Sequence, residues 1–249
     1  MSILYNKKFI EYTPFNKNNI QKVNINIHSS EYVFTEMLNA INNKTPFNII
    51  RMGDGEAGFI KYFLNGIKPS FLTKQWKNQF GLSNFSDTEL KNIGKDLITV
   101  AEEANYLGIS IWGENNILEN WNVRQFLNRK NNFCSNWFNM EWVVTGCIHT
   151  LVNQYNVSIL HNDAFNVSNS IHENFGNDPR FLKNKNDIGF FILNGNFEKA
   201  EIFIKNTSYD VYLVSGGPFG KIWMYNMSKK YNKVMIDVGH AVTRCYINY

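Results

Sequence analysis

The sequence predicts a single α/β domain of Rossmann-like build, with a mostly parallel sheet flanked by helices. Three observations predict it. In the last third of the chain, strand-like runs at residues 188–193, 211–214 and 234–238 alternate with helical patterns at 197–205 and 219–230, the order of βαβ units in a parallel sheet. Another strand-to-helix step lies near the start, where Phe47-Asn48-Ile49-Ile50-Arg51 runs towards Gly53-Asp54-Gly55-Glu56. The length of 249 residues, with 44% hydrophobic and 15% aromatic content, suits one core built around one sheet.

Taken in order, residues 1–28 read as a polar, irregular amino-terminal arm and residues 29–249 as the domain. From Ser30 onward Val33, Phe34, Met37, Leu38 and Ile41 recur at helical spacing, and Pro46 ends the run. Residues 47–51 form a short buried strand. The acidic pair Asp54 and Glu56 then sits on the turn before a helix carrying Phe59, Ile60, Phe63 and Leu64. Ser86-Asp87-Thr88-Glu89 is a capping box, continued by the apolar stripe Leu90, Ile93, Leu97, Ala101 and Ala104. A strand follows at 106–112. The polar, Trp-rich stretch 114–140 has a weaker pattern, and helices are expected at 115–127 and 141–155.

Composition removes several function classes. A charged fraction of 18% is too low for a disordered or solvating chain. The formal charge of +4 is mild and its lysines and arginines are dispersed, so nucleic acid is not an expected partner. No run approaches the roughly 20 apolar residues of a membrane span, and residues 1–12 lack the apolar stretch of a signal peptide. Cys134, Cys147 and Cys245 show no CxxC spacing and read as reduced thiols. A cytoplasmic location is expected, with peripheral contact at the inner face of the cell membrane allowed by the positive charge.

In a parallel sheet, ligands bind beyond the carboxyl ends of the strands. Three stretches lie there: 54–56, 215–221 and 237–240. Asp54 and Glu56 flank Gly55, a spacing that lets two carboxylates converge on one hard cation; ordinary turn chemistry is the alternative. Ser215-Gly216-Gly217-Pro218-Phe219-Gly220-Lys221 joins a strand to a helix, so its N–H groups and Lys221 could cradle phosphate, or form a tight turn without a ligand. Asp237 and His240 end the following strand, and either could be structural. The other histidines show no zinc-ligand spacing, and no GxSxG elbow is present.

All three of these stretches fall within segments that resemble one family. Asn48-Ile49-Ile50-Arg51-Met52-Gly53-Asp54-Gly55-Glu56 is similar to the Arg-Phe-Gly-Asp-Gly-Glu signature of GT-D type glycosyltransferases, with Met52 in place of phenylalanine. Ser215-Gly216-Gly217-Pro218, then Tyr225 and Ser228-Lys229-Lys230, then Ile236-Asp237-Val238-Gly239-His240 resemble the carboxyl-terminal part of the same family. Leu107-Gly108-Ile109 with Trp121 and Arg124 is similar in character to its central strand and helix, whereas residues 161–186 depart from its pattern.

The resemblance implies a GT-D fold, a manganese or magnesium ion on Asp54 and Glu56, and a nucleotide-sugar donor, a UDP-sugar first. Arg51, Gly53, Gly55, Ser215, Gly216, Gly217 and Lys221 are the expected nucleotide-sugar-binding residues. It further implies hexosyl transfer to a glycan, lipid-linked or glycoprotein acceptor in bacterial surface-polysaccharide or protein-glycosylation biosynthesis. An inverting reaction needs a proton acceptor, for which Glu114 is the first candidate and Asp237 or His240 the second. A metal-dependent phosphoesterase could use the same groups on water. A non-catalytic nucleotide-binding module would need the phosphate turn alone.

Overall fold

The computed structural model describes residues 27–70, 85–109, 132–164 and 188–239, with isolated positions between these segments. Among the described residues eight parallel strands form one sheet: β1 (Ile27–His28), β2 (Phe47–Arg51), β3 (Tyr106–Ile109), β4 (Phe133–Ser135), β5 (Val157–His161), β6 (Gly189–Ile192), β7 (Val211–Val214) and β8 (Val234–Asp237). Their order across the sheet is β1-β4-β3-β2-β8-β7-β5-β6. Seven helices are described: α1 (Ser30–Asn42), α2 (Asp54–Asn65), α3 (Asp87–Glu103), α4 (Phe138–Val144), α5 (Cys147–Gln154), α6 (Phe197–Asn206) and α7 (Gly217–Tyr231). None is long and apolar enough to cross a membrane.

The strands between the sheet's two edges are buried on both faces, so their side chains enter one of two apolar layers, whereas β1 is half-buried and β6 exposes Phe190 and Ile192. Ile50, Leu107, Leu160, Tyr212, Val214 and Met235 pack with residues of α2, α3, α6 and α7. Ile49, Tyr106, Ile159, Leu213 and Ile236 pack with α1, α4 and α5 on the other face. The result is a helix–sheet–helix sandwich in which Phe59 and Trp142 are among the largest fully buried side chains.

Three expectations met a different local structure. The acidic pair lies inside the first turn of α2, because Gly53 serves as N-cap and Glu56, at the third helical position, reaches back to the Gly53 N–H. The single helix expected at 141–155 is two helices, interrupted by Gly146 at φ 79°, the left-handed conformation that glycine adopts without steric cost. Strands β1, β4 and β5 are additional to the expected ones, and β1 already pairs with β4 through Ile27↔Phe133. Residues 1–26, the helix expected at 115–127, and Trp121 and Arg124 lie outside the described residues.

β2 and β8 come from opposite ends of the domain and pair at the centre of the sheet, with Ile49 opposite Ile236. On the far side of β8, Asp237 is in register with Val214 of β7. The carboxyl ends of β2, β7 and β8 therefore open together, and the residues that follow them share one crevice.

Candidate functional site at the carboxyl ends of the central strands

Four charged side chains meet in this crevice. Arg51 ends β2, Glu56 is in the first turn of α2, Lys221 is one turn into α7 and Asp237 ends β8. Glu56, Lys221 and Asp237 are only 5%, 8% and 3% exposed. Charges this deep persist only when paired, because removing an ion from water costs several kcal/mol. Here two cations face two carboxylates. Lys221 Nζ lies 2.5 Å from Glu56 Oε1 and 3.4 Å from Asp237 Oδ2, while Arg51 Nε lies 3.6 Å from that same Asp237 oxygen.

Backbone donors hold both carboxylates. Gly53 N–H donates to Glu56 Oε2 at 2.8 Å. Asp237 Oδ2 accepts from the Arg51 N–H at 3.0 Å, and its Oδ1 accepts from the Gly239 N–H at 3.2 Å. Arg51 Nη1 donates to the Asn136 carbonyl at 3.3 Å, tying β2 to the end of β4. Asn139 Nδ2 donates to the Val238 carbonyl at 2.6 Å, which fixes the chain leaving β8. Asn136 and Asn139 were not expected from the sequence. They lie in the Trp-rich stretch, where neither spacing nor composition marks them, and only the β3–β4 and β2–β8 pairings carry them to the site.

The turn after β7 is shaped for close approach. Gly217 has φ 62°, and a Cβ on Gly216 would lie 2.9 Å from Gly220 Cα, so the first turn of α7 is drawn tight. Its N-cap, Gly216, makes no side-chain cap hydrogen bond, and Pro218 at the start of the helix lacks an N–H. The remaining first-turn N–H groups and the positive end of the helix dipole make this terminus a favourable place for phosphate oxygens. Ser215 is buried beside it, with its N–H bonded to the Leu160 carbonyl.

Of the residues expected to bind donor or metal, Arg51, Glu56 and Lys221 are thus brought together around Asp237, the second candidate for the proton acceptor, and Gly53 is joined to them through its N–H. Gly55 lies in the first turn of α2, and Ser215, Gly216 and Gly217 line the entry to α7. Asp54 is the first residue of α2, but its side chain lies outside the described residues, as do Glu114 and His240 altogether.

Residues 28–245 match the family described as the GT-D fold-like domain. The chain belongs to that family. Its fold is shared with the solved "highly conserved domain of unknown function 1792", described as having a distinct glycosyltransferase fold: TM-score 0.52 at 13% identity, covering 90% of this chain and 82% of the other. A selenomethionine-substituted structure of the same domain gives TM-score 0.51 at 12% identity, with the same coverage. No curated protein matches the chain.

The GT-D fold, through the resemblance noted in the sequence, brings with it the question of a divalent ion. Among the described residues no group of three or more His, Cys, Asp or Glu side chains is gathered as a ligand set. The donor chemistry is nevertheless suitable, since two buried carboxylates already stabilise a cation between them, the Lys221 ammonium. Glu56 Oε1 is the described oxygen that an ion could take over, because its other contacts are to backbone.

Proposed function

We propose that this GT-D domain is a glycosyltransferase that moves a hexosyl group from a nucleotide-sugar, a UDP-sugar first, to a glycan, lipid-linked or glycoprotein acceptor. The setting would be bacterial surface-polysaccharide or protein-glycosylation biosynthesis on the cytoplasmic side of the membrane. The observation that carries the reading is the joining of a buried, charge-balanced cluster to the uncapped start of α7, at the carboxyl ends of β2, β7 and β8. A diphosphate needs both elements: N–H groups for its oxygens and cations for its charge.

Asp54 and Glu56 would hold Mn2+ or Mg2+, which would compensate the charge of the departing diphosphate. The chain's own residues supply the rest. Lys221 and the Gly216-Gly217 turn bind phosphate oxygens, and Arg51, braced by Asp237 and Asn136, adds a fixed positive field. Asp237, already holding two backbone N–H groups and two cations, is suited to positioning rather than to proton transfer. The proton acceptor for the attacking hydroxyl would then be Glu114 or His240.

A panel of UDP-, GDP-, dTDP- and CMP-sugars assayed with Mn2+ tests this reading, with nucleotide release and binding measured together. One nucleotide class should be released, and release should rise on adding a glycan acceptor. Asp54→Asn should lower turnover by roughly 100-fold without unfolding the domain. Release indifferent to every acceptor would assign the site to phosphoester hydrolysis instead.

A further inference from the structure

The two contacts of the Lys221 ammonium differ in kind. Asp237 is anchored, since its oxygens also accept from the N–H groups of Arg51 and Gly239. Glu56 is anchored through Oε2 to Gly53 N–H, whereas its Oε1 is held by Lys221. The Lys221–Glu56 link can therefore open without unmaking a backbone hydrogen bond. The ammonium rides on a flexible four-carbon stem rooted in α7, the helix whose first turn faces the phosphate position.

We propose that Lys221 is an exchangeable stand-in for a divalent ion. In the ion-free protein it neutralises Glu56; when a divalent cation binds at Glu56, the ammonium leaves that carboxylate for an oxygen of the donor diphosphate. This deepens the glycosyl-transfer reading above and rests on it.

The physical reason is competition for one oxygen. An ammonium and a divalent ion at contact distance from Glu56 Oε1 repel each other strongly in a site screened from water. Each still needs an anion, and the diphosphate supplies the missing one. The ion then frees Lys221 for phosphate, and phosphate removes Lys221 from the ion's ligand. By linkage, each ligand must strengthen the other by the same factor, about 5–150-fold for couplings of this type. Asp237, fixed by backbone, keeps the lysine near both positions, so Asp237 is the positioning residue and Lys221 the group that exchanges.

The test uses the full chain stripped of divalent ions, with Mn2+ alone as the first probe and its binding followed by electron paramagnetic resonance. Lys221→Met should tighten Mn2+ binding by about tenfold or more and remove the mutual enhancement between Mn2+ and UDP. Unchanged or weaker Mn2+ binding by a folded Lys221→Met protein overturns the proposal. Should that variant not fold, the wild type decides, through the rate of Lys221 acetylation read by mass spectrometry. Acetylation several-fold faster with Mn2+ than with chelator supports the exchange, and an unchanged rate overturns it. Glu56→Gln should be acetylated at the faster rate whether or not the ion is present; a slow rate counts against the exchange. Tightened Mn2+ binding in a protein that transfers no sugar supports the exchange while removing the transfer reading. Sugar transfer in chelator by a protein that binds no Mn2+ does the reverse.

Discussion

Gly239 has φ 50°, and a Cβ built there would lie 1.6 Å from Arg51 Nη2. The obstructed atom is the end of a side chain, so Arg51 would yield before the backbone does. Gly239→Ala should cost about 1–2 kcal/mol from the left-handed backbone, seen as a modest fall in melting temperature, and should weaken nucleotide binding more than it weakens folding. Equal nucleotide affinity in isothermal titration would show that Arg51 lies outside the donor site. Glu141 poses a different problem. Burial pushes its carboxyl above the usual range, more than hydrogen bonding to Ser30 and Ser135 lowers it, and its Oε1 has no hydrogen-bond partner. A raised folded pKa favours the protonated form, so the stability linked to this group is present below the ordinary glutamate value and is lost as pH rises through the folded one. Glu141→Gln should therefore stabilise the protein by about 1 kcal/mol at neutral pH, with the gain shrinking as pH falls towards 4. Chemical denaturation across that pH range checks both sign and window.

At the scale of elements, α2 carries the acidic pair and is held in place by α3. A Cβ on Gly94 of α3 would lie 2.1 Å from the Phe59 carbonyl oxygen, a backbone atom that cannot rotate away. Gly94→Ala should cost about 3 kcal/mol by forcing the helices apart, and by shifting α2 it should loosen Glu56 from Lys221. Denaturant unfolding that shows wild-type stability would mean that the two helices can separate freely. The start of α3 was readable in advance, since Ser86 and Glu89 bond reciprocally as the capping box requires. The break between α4 and α5 was not. The apolar pattern of 141–155 continues across it, and an isolated glycine in a helical pattern does not reveal whether the backbone there turns left-handed.

For the whole molecule, the site is as strong as the central strand pairing. Ile236 is fully buried and is in register with Ile49 of β2 on one side and Leu213 of β7 on the other. Ile236→Ala should cost about 3–4 kcal/mol by leaving a cavity at this junction. Because the site draws on β2, β7, α7 and β8, loss of nucleotide binding on heating should coincide with global unfolding. A binding transition well below the melting of the sheet would show that the crevice opens on its own.

The local periodicities determined much of this protein. Residues 47–51 as a strand, the capping box of α3 and the last three strands with the two helices between them all follow from short-range spacing of apolar, glycine and capping residues. So does the location of Arg51 and Asp237 at strand ends and of Asp54, Glu56, Gly217 and Lys221 beyond them, since each lies within a few residues of a pattern change. Strand order, the two- and three-residue strands β1 and β4, and the partners of each charge were decided by the tertiary structure. A short strand has too few residues to show a period, and it persists only because a neighbour completes its hydrogen bonds. The Lys221–Glu56 contact spans most of the domain, and no local pattern encodes it. It exists because the β2–β8 pairing brings the two ends of the fold together, and because a buried carboxylate requires the nearest available cation.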